Sequence, residues 1–365
     1  MLIAAIIMAD IVDLRTQIDT IDDQLVDLLD RRADLALEIR RLKKESGLEI
    51  YSPDREEQLL QNLIARSQGR LGPESIRAIY REIMSASLAL EEEVTIAFLG
   101  PPATWTHQAA HVKFGASVRY LPQTNIADIF SEVARGNGDY GVVPIENSTD
   151  GAVNHTLDMF VESDLRICAQ ILLKIENNLL ARVPREQIRK LFSHPQVFGQ
   201  CRDWLRNNMP GVKLIDTSST TRAAELAAND PQGGALAGKM AAEVYQLSIL
   251  AASVDDRHDN ATRFLVIGRQ SCPPTGNDRT SIMFCLQDKP GALFAALRPF
   301  DHWKISLRKI ESRPSRRKAW EYFMYVDIEG HAEDRKVSAA LKILREHCSI
   351  LKILGSYPSV GEAVK

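Results

Sequence analysis

The stretch IVDLRTQIDTIDDQLVDLLDRRADLALEIRRL (residues 11–42) decides the fold of the amino-terminal segment. Its apolar residues recur at alternating spacings of three and four, as in a heptad repeat, and they are Ile11, Leu14, Ile18, Ile21, Leu25, Leu28, Leu35, Ile39 and Leu42. One position of the repeat, Arg32, is charged instead of apolar. The pattern predicts a long helix that packs its apolar seam against another helix and ends near Gly47.

The cations of this helix point to an anionic ligand. Arg32 needs an anionic partner if it is buried, because burying an unpaired guanidinium is costly; a solvated face or a register-fixing polar residue is the alternative. At 1.5 Å per residue, Arg15 lies ~25 Å and Lys43 ~16 Å from Arg32 along one helix. No small anion contacts all three at those distances. If they share a site, Arg15 comes from an antiparallel helix of a second subunit, which predicts an intertwined homodimer with two equivalent sites.

The composition is that of a soluble multidomain protein. The 365 residues suggest two or three domains at roughly 150 residues each, and 45 basic against 48 acidic residues give no global positive field for nucleic acid. The five cysteines, which suit reduced thiols, are Cys168, Cys201, Cys272, Cys285 and Cys348. The apolar run from Met1 to Ala9 is too short to span a bilayer, so we expect a cytoplasmic protein without membrane contact; Met8 is an alternative start.

Three segments follow from the pattern along the chain. Helical patterns at residues 53–66 and 73–93 make segment 1–93 all-helical. From residue 94 to 271, helical stretches alternate with the β-rich runs VTIAFL, SVRYL, DYGVVPI, LRICAQILLKI, KLFS, VKLID, GGALA and TRFLVIG, which predicts a largely parallel α/β fold. Turn clusters near 176–178 and 255–260 are candidates for crossings between two lobes. After the linker 271–278, residues 279–358 read βαββαβ, a ferredoxin-like plan.

The middle segment carries no nucleotide, Walker or GxSxG motif, and we expect no metal or cofactor. His107 and His111 have i, i+4 spacing, but Gln108 replaces the glutamate of a zinc-protease helix, so two histidines on a solvated helix face are the better interpretation. Polar clusters near predicted strand ends start at Thr104, Glu146, Ser193, Ser218 and Thr262. Each could be a helix cap or turn, but their recurrence favours a cleft that holds an anion with hydroxyls and helix N-termini.

The first segment resembles the AroQ-type chorismate mutase domain, through residues 14–47, SPDREEQLL and IYREIMSASLALEEE. The resemblance implies an all-α helical dimer with a pocket lined by Arg15 from the partner, Arg32, Lys43, Arg55, Glu56, Ser87 and Glu91. Ser52 stands where some relatives carry Asp, and Glu91 where some carry Gln. A carboxylate donates only when protonated, so we expect mutase activity to fall as pH rises through the pKa of Glu91, and Glu91→Gln to flatten the profile.

The second segment resembles the prephenate dehydratase family, through IAFLGPPATWTHQAA, YGVVPIENSTDGAV, LFSHPQVFGQC, TSSTTRAAE and NATRFLVIG. The resemblance implies a two-lobed α/β fold like periplasmic binding proteins, an active site between the lobes and Thr262 as the principal catalytic residue, which we expect to donate a hydrogen bond to the departing hydroxyl. Candidates for binding the carboxylates or orienting the donor are Glu146, Asn147, Ser148, Ser193, Gln196, Ser218, Ser219, Thr220 and Arg263, with Arg263 the expected charge partner. Ala103 and Trp105 depart from the Gly and the Phe or Tyr common in relatives.

The third segment resembles an ACT domain, through DKPGALFAAL, KIESRP and FMYVDIEGH. The resemblance implies an L-phenylalanine site formed by Gly291, Ala292, Leu293, Glu311, Ser312, Arg313 and Pro314. Ser306 and Arg308 stand where relatives commonly have Asn and Thr. We expect phenylalanine to stabilise a closed, inactive cleft, which requires different affinities for two states.

The three resemblances together imply a bifunctional enzyme that converts chorismate to prephenate and prephenate to phenylpyruvate, with phenylalanine feedback, as a homodimer or a higher oligomer. Two alternatives stay open. One is a dehydratase that prefers arogenate, in which an amine replaces the keto group of prephenate. The other is a non-catalytic amino-acid-responsive binding protein whose helical segment only dimerises it.

Overall fold

The amino-terminal domain is built from three helices. The computed structural model describes residues 2–46, 53–91, 93–149, 151–286, 289–315 and 321–359, apart from the side chains of residues 2–9, Lys44 and Glu91. The helices are α1 (Leu2–Glu45), α2 (Pro53–Arg66) and α3 (Pro73–Glu91), as the heptad and proline patterns predict; Gly47 lies outside the described residues. Within one chain the apolar seam of α1 is uncovered, since Leu14 and Leu28 are 57% and 56% exposed.

The middle domain forms two lobes, each around its own sheet. Its elements in chain order are β1 (Thr95–Leu99), α4 (Trp105–Phe114), β2 (Arg119–Gln123), α5 (Ile126–Arg135), β3 (Tyr140–Asn147), β4 (Gly151–Ala152), α6 (Asn154–Glu162), β5 (Arg166–Lys174), β6 (Asn178–Ala181), β7 (Lys190–Ser193), α7 (Pro195–Gln200), α8 (Arg202–Asn208), β8 (Lys213–Asp216), α9 (Thr220–Asn229), β9 (Gly233–Ala237), α10 (Lys239–Tyr245), β10 (Ser248–Ala251) and β11 (Ala261–Gly268). Lobe one has the strand order β2-β1-β3-β11-β5, with β4 beside β3, and lobe two the order β10-β6-β9-β7-β8. All eight predicted strands are present, and the two-lobed expectation is confirmed.

The sheets are mixed, which corrects the expectation of largely parallel sheets. In lobe one β1 is parallel to β2 and β3, but β11 is antiparallel to β3 and β5. The chain leaves lobe one after β5 and returns on β11, so the returning strand runs in the opposite direction. The two crossing segments are joined where they were predicted, since the backbone N–H and side-chain amide of Asn177 both donate to the Asp255 carboxylate at 2.7 Å.

The carboxyl-terminal domain has the predicted βαββαβ order. Its elements are β12 (Asp278–Leu286), α11 (Ala292–His302), β13 (Leu307–Pro314), β14 (Tyr322–Glu329), α12 (Arg335–His347) and β15 (Cys348–Pro358). The sheet order is β13-β14-β12-β15, and every pair is antiparallel. One face of this sheet carries α11 and α12, with which Ile282, Phe284 and Val326 share a core.

The other face of the carboxyl-terminal sheet packs directly on lobe one. Met283, Tyr325 and Tyr357 belong to the same buried cluster as Ile145 and Leu265 of lobe one. The approach is close at β15: a Cβ on Gly355 would lie 2.7 Å from the backbone nitrogen of Ile167 in β5. The two domains therefore share one hydrophobic core.

All five cysteines are free thiols, in agreement with the reduced state expected from their spacing. None of the helices in the described ranges has both the length and the apolar character required to cross a bilayer.

Candidate active sites and regulatory site

Two of the expected mutase residues meet in one chain. The guanidinium of Arg32 on α1 donates a hydrogen bond to the hydroxyl of Ser87 on α3, and that hydroxyl donates to the backbone oxygen of Ile83 at 2.9 Å. Arg32 is half-buried. The cation in the seam therefore has a neutral partner within the chain, and its charge is available to an anion.

The other expected cations of this pocket lie apart. Lys43 is half-buried on the last turn of α1, whereas Arg15 and Arg55 are exposed. Because α1 is one continuous helix, Arg15 and Arg32 of the same chain are ~25 Å apart. Ser52 and the side chain of Glu91 lie outside the described residues.

Glu56, expected to line the mutase pocket, contacts the next domain. Its Oε2 lies 2.6 Å from Nζ of Lys113 on α4, and both side chains are largely buried. The helical domain also receives two backbone N–H groups of the same region, from Ala116 to Glu82 and from Ser117 to Ser85, each at 3.0 Å. Nothing in the sequence around Lys113 distinguishes it from a surface lysine, so sequence reasoning missed it.

Thr262 and Asn147 form the centre of the predicted dehydratase site. They are directly opposite each other on β11 and β3, and the Asn147 amide nitrogen donates to the Thr262 hydroxyl at 2.8 Å and to Oδ1 of Asn260 at 2.9 Å. The Asn147 oxygen accepts from the backbone N–H of Thr149 at 2.8 Å. Since the Thr262 oxygen accepts from the amide, its own proton can be donated to another group.

Ser148 holds the loop before Thr262. Its hydroxyl accepts from the backbone N–H of Ala261 at 3.0 Å and donates to the carbonyl of Asp259 at 3.3 Å. Thr262 comes at the amino end of its strand, not at a carboxyl end. It nevertheless lies beside the carboxyl end of β3, because β11 runs antiparallel to it.

Arg263 and Glu146, expected to bind the substrate, face the carboxyl-terminal domain instead. Arg263 is 8% exposed and donates to Gln170 at 2.9 Å, to Asp327 at 2.5 Å and to Tyr357 at 2.8 Å. Glu146 lies 2.9 Å from the ammonium of Lys309. The reason is the alternation of side chains along a strand: if Thr262 and Asn147 face the cleft, their neighbours face away from it.

The electrostatics of Arg263 fit this interface position. Burial by itself would lower the pKa of Arg263, but Tyr357 and Asp327 raise it above its usual value. The guanidinium is therefore charged, and its partners are protein groups.

The expected residues of lobe two divide into two kinds. Ser193 and Ser219 have structural bonds: Ser193 is buried and donates to the carbonyl of Leu236 at 2.8 Å, and Ser219 caps α9 by accepting from the N–H of Arg222 at 3.1 Å. Gln196 and Ser218 are exposed, and Thr220 is half-buried at the start of α9. These three residues therefore differ from Ser193 and Ser219 in being partly or fully accessible to solvent.

The loop after β1 joins the lobes. Ala103 packs in the core of lobe two, and a Cβ on Gly238, at the start of α10, would lie 2.7 Å from the Trp105 ring. Trp105 of lobe one therefore rests on the backbone of lobe two.

His107 orders this loop, which corrects the expectation of a solvated pair. Its Nδ1 accepts from the backbone N–H of Ala103 at 3.0 Å, and its ring stacks on Phe98 at 4.4 Å. Burial, with a smaller effect of His111, lowers the pKa of His107 to about 4. His111 stacks on Tyr120 and is half-buried too. No group of potential metal ligands occurs in the part of the chain that the structure describes.

The expected phenylalanine site combines an open helix start with an edge strand. Gly291 has a φ of +79° and no side chain caps the helix that follows, while Ala292 is half-buried and Leu293 exposed. On β13, Ser312 and Pro314 are exposed and Glu311 is half-buried. Nearby, Arg308 pairs with Glu329, and the backbone oxygen of Ser306 accepts from the N–H of Glu329.

Arg313, expected in this site, contacts lobe one. Its guanidinium grips the Asp158 carboxylate on α6 with two hydrogen bonds of 2.6 and 2.5 Å. Such bidentate pairs are among the strongest charge-assisted hydrogen bonds. The edge strand β13, on which part of the phenylalanine site is expected, is thereby tied to the middle domain.

Comparison with known proteins agrees with this domain order. Residues 14–92 match the family Chorismate mutase type II, residues 96–272 match Prephenate dehydratase and residues 280–346 match ACT domain. The fold and the sites thus define a multidomain enzyme with a helical mutase domain, a two-lobed dehydratase domain and an ACT domain.

Full-length relatives narrow the class to one family. The chain is 46% identical over 96% of its length to the bifunctional chorismate mutase/prephenate dehydratase of Aquifex aeolicus, of which it covers 98%, and 42% identical over 94% to that of Pseudomonas aeruginosa, of which it covers 96%. The structure of prephenate dehydratase in complex with L-Phe from Arthrobacter aurescens matches 73% of this chain and 90% of that chain, with 34% identity and a TM-score of 0.68. The chain belongs to the bifunctional chorismate mutase/prephenate dehydratase family.

Proposed function

We propose that this chain rearranges chorismate to prephenate in its helical domain and converts prephenate to phenylpyruvate between its two lobes, under feedback by L-phenylalanine. Membership of the family supports both activities. The dehydratase activity is supported by the hydrogen bond from Asn147 to Thr262, which leaves the hydroxyl proton of Thr262 available for donation. We also propose that the enzyme works in the cytoplasm without nucleic acid or membrane partners, in keeping with its net charge of −3.

The mutase reaction needs a charged clamp and no covalent catalyst. Chorismate is a dianion and its rearrangement is pericyclic, so positioning and charge stabilisation suffice. Arg32 and Arg55 bind the carboxylates, Lys43 and Glu91 donate to the ether oxygen whose bond breaks, and Ser87 orients Arg32. Arg15 enters from the second subunit of a homodimer. The uncovered apolar seam of α1 supports that dimer, because a helix with an apolar stripe is stable in water only when the stripe is buried.

The dehydratase reaction needs a proton donor at the leaving hydroxyl. The bond between the ring and its carboxylate breaks, carbon dioxide leaves, and the freed electron pair completes the aromatic ring as hydroxide departs. Thr262 donates its proton to that hydroxide, giving water, and the threonine oxygen takes a proton back from solvent before the next turnover, while Asn147 holds this oxygen in place. Gln196, Ser218 and Thr220 of lobe two bind the carboxylates as the lobes close.

Regulation occurs by reversible binding of L-phenylalanine to the ACT domain. The exposed N–H groups after Gly291 suit the carboxylate of an amino acid, and the strand with Glu311 and Ser312 supplies polar contacts for its ammonium group. Ala292, Leu293 and Pro314 give the apolar wall. Phenylalanine inhibits because it binds the closed, inactive cleft more tightly than the open one.

One experiment tests the two activities and the regulation together. Purified full-length protein is supplied with chorismate, prephenate or arogenate, and product formation is followed with and without L-phenylalanine. We expect chorismate to be consumed, phenylpyruvate to form from chorismate and prephenate, and phenylalanine to slow the second reaction. A faster turnover of arogenate would change the second substrate. Binding of phenylalanine without consumption of any substrate would identify a binding protein instead.

A further inference from the structure

The two strands that carry the dehydratase centre also carry a charged pair on their other face. Thr262 is opposite Asn147 in the register of β11 and β3, and the next pair along is Arg263 opposite Glu146. The register shifts immediately after this second pair, as at a β-bulge, which re-aims the side chains beside it. The two pairs are neighbours along both strands, so a single backbone unit on each strand connects the second pair to the first.

The charged pair is held by the ACT domain. Asp327 on β14 accepts from Arg263 at 2.5 Å and from the hydroxyl of Ser281 at 2.5 Å. Lys309 on β13 lies 2.9 Å from the Glu146 carboxylate, an ion pair without hydrogen-bond geometry. Arg263 itself is 4.0 Å from Glu146. Two acids and two bases thus alternate across the interface between the domains.

These charges are buried enough to depend on each other. The side chains of Arg263 and Asp327 are each 9% exposed and that of Lys309 is 13% exposed. The cavity among Arg263, Asp327 and Lys309 has a volume of about 20 Å³, which has room for about one water molecule. Removing Asp327 leaves the buried guanidinium of Arg263 without its nearest anion, whereas removing Lys309 leaves Glu146, whose side chain is 38% exposed, without the cation that holds it.

We propose that Lys309 and Asp327 of the ACT domain are positioning residues of the dehydratase: they fix Glu146 and Arg263, and through these the Asn147 amide and the Thr262 hydroxyl. This rests on the proposed function and deepens it, because it names the contact through which an amino acid bound at the ACT domain changes the dehydratase site. Lys309 is two residues from Glu311 on the strand of the expected phenylalanine site.

A plain structural role is the competing explanation, and the interface offers a matched control. Lys352 on β15 also crosses from the ACT domain to lobe one, donating to the carbonyls of Phe160 and Ser163 at 3.1 and 2.6 Å. Both carbonyls, and the Asp164 carboxylate 4.0 Å away, belong to α6 and the loop after it. Lys352→Met therefore removes an interface ammonium whose bonded carbonyls lie outside the two strands of the site.

The test compares Lys309→Met, Asp327→Asn and Lys352→Met in the full-length enzyme. The mutase rate and the thermal midpoint of each variant report folding, and the dehydratase kcat, its KM and phenylalanine inhibition report the site. For Lys309→Met and Asp327→Asn we expect kcat to fall about 3- to 30-fold with KM little changed, and the phenylalanine concentration for half-inhibition to shift by a similar factor. We expect Lys352→Met to keep both, and Lys309→Arg, which retains the charge, to restore most of the rate.

Two results would overturn the inference. One is wild-type kcat and inhibition in Lys309→Met and Asp327→Asn. The other is a loss that follows the thermal midpoint equally in all three variants. An inactive wild-type dehydratase would instead reject the proposed function, so the two failures are distinguishable.

Discussion

The Asn147 amide donates a hydrogen bond to the Thr262 hydroxyl oxygen, which leaves the hydroxyl proton of Thr262 for donation to the substrate. Replacing Thr262 by Val keeps the shape and removes the donor, so we expect dehydratase kcat to fall by about 10²- to 10⁴-fold, the usual contribution of a proton donor. Thr262→Ser keeps the donor and should retain most of the rate. Phenylpyruvate formation from prephenate measures both, with the mutase rate as the control for folding. Full turnover in the Val variant would end the assignment of the donor.

The buried ring of His107 should make the folded protein less stable at acid pH. Burial lowers its pKa in the folded protein to about 4, below the ordinary value of 6.5, so between these pH values the unfolded chain binds a proton that the folded chain does not. The free energy of unfolding should therefore fall as pH drops from about 6.5 to 4. The effect is on the order of 1 kcal/mol, because solvent screens a half-exposed ring.

The check is urea unfolding across this pH range. His107→Gln should flatten part of the acid slope. Parallel slopes in the wild type and His107→Gln would contradict the assignment.

The partners of charged residues were the least predictable part of the sites. The pairing of Thr262 with Asn147 could be expected from two strand-end motifs, and the outward face of Arg263 follows from strand alternation once β11 is assigned. The partners Lys309, Asp158 and Lys113 could not be predicted. Each belongs to a different domain from the residue it binds, and local patterns in a sequence contain no information about such distant contacts.

At the scale of elements, α1 is the clearest case of a helix whose pattern requires a partner. An Asp at the seam position Leu25 would have to be buried in the proposed dimer, at a cost of about 3 kcal/mol or more. We expect Leu25→Asp to weaken the dimer more than ~100-fold and to abolish mutase activity while dehydratase activity persists.

Sedimentation velocity measures the oligomeric state in this experiment. Gln24→Asp, an adjacent exposed position off the seam, is the matched control and should remain dimeric. A Leu25→Asp protein that keeps both its assembly and its mutase rate would show that the seam has another purpose.

The long helices and the strongly apolar strands were predicted well, since their periods are distinct over many residues. The short strands β4, β6 and β10 were missed. Their two to four residues carry too little pattern, and it is their sheet neighbours that make them strands. The mixed sheets could not be predicted for a similar reason. The direction of a strand depends on how the chain crosses between the lobes, and the turn clusters indicate where the chain crosses but not in which direction the returning strand runs.

At the scale of the whole molecule, the domains are joined with different strengths. The helical domain contacts lobe one through polar groups such as Glu56 and Lys113 and through Leu88, which packs against the apolar cluster of lobe one, whereas lobe one and the ACT domain share a core. Removing residues after Asp278 uncovers buried side chains such as Ile145 and Leu265, at a cost of about 1.5–3 kcal/mol for each fully exposed one.

We therefore expect the chain ending at Asp278 to unfold more than about 10 °C lower than the full-length enzyme. The chain starting at residue 94 should keep its thermal midpoint, its dehydratase rate and its inhibition by phenylalanine. Scanning calorimetry of the two truncated proteins compares them directly. Equal midpoints would mean that the shared core contributes little.

The alternation on β11 also limits what kinds of genetic change the enzyme tolerates. Successive residues of β11 face opposite sides of the sheet, one side toward the cleft and the other toward the ACT domain. The number of residues in the strand therefore has to be kept. Deleting a single codon between Asn260 and Arg263 would turn the Arg263 guanidinium toward the cleft and a small side chain toward the ACT domain. Both the dehydratase reaction and its inhibition by phenylalanine would then be impaired. A substitution in β11 changes one face of the strand only, whereas a change in its length alters both faces.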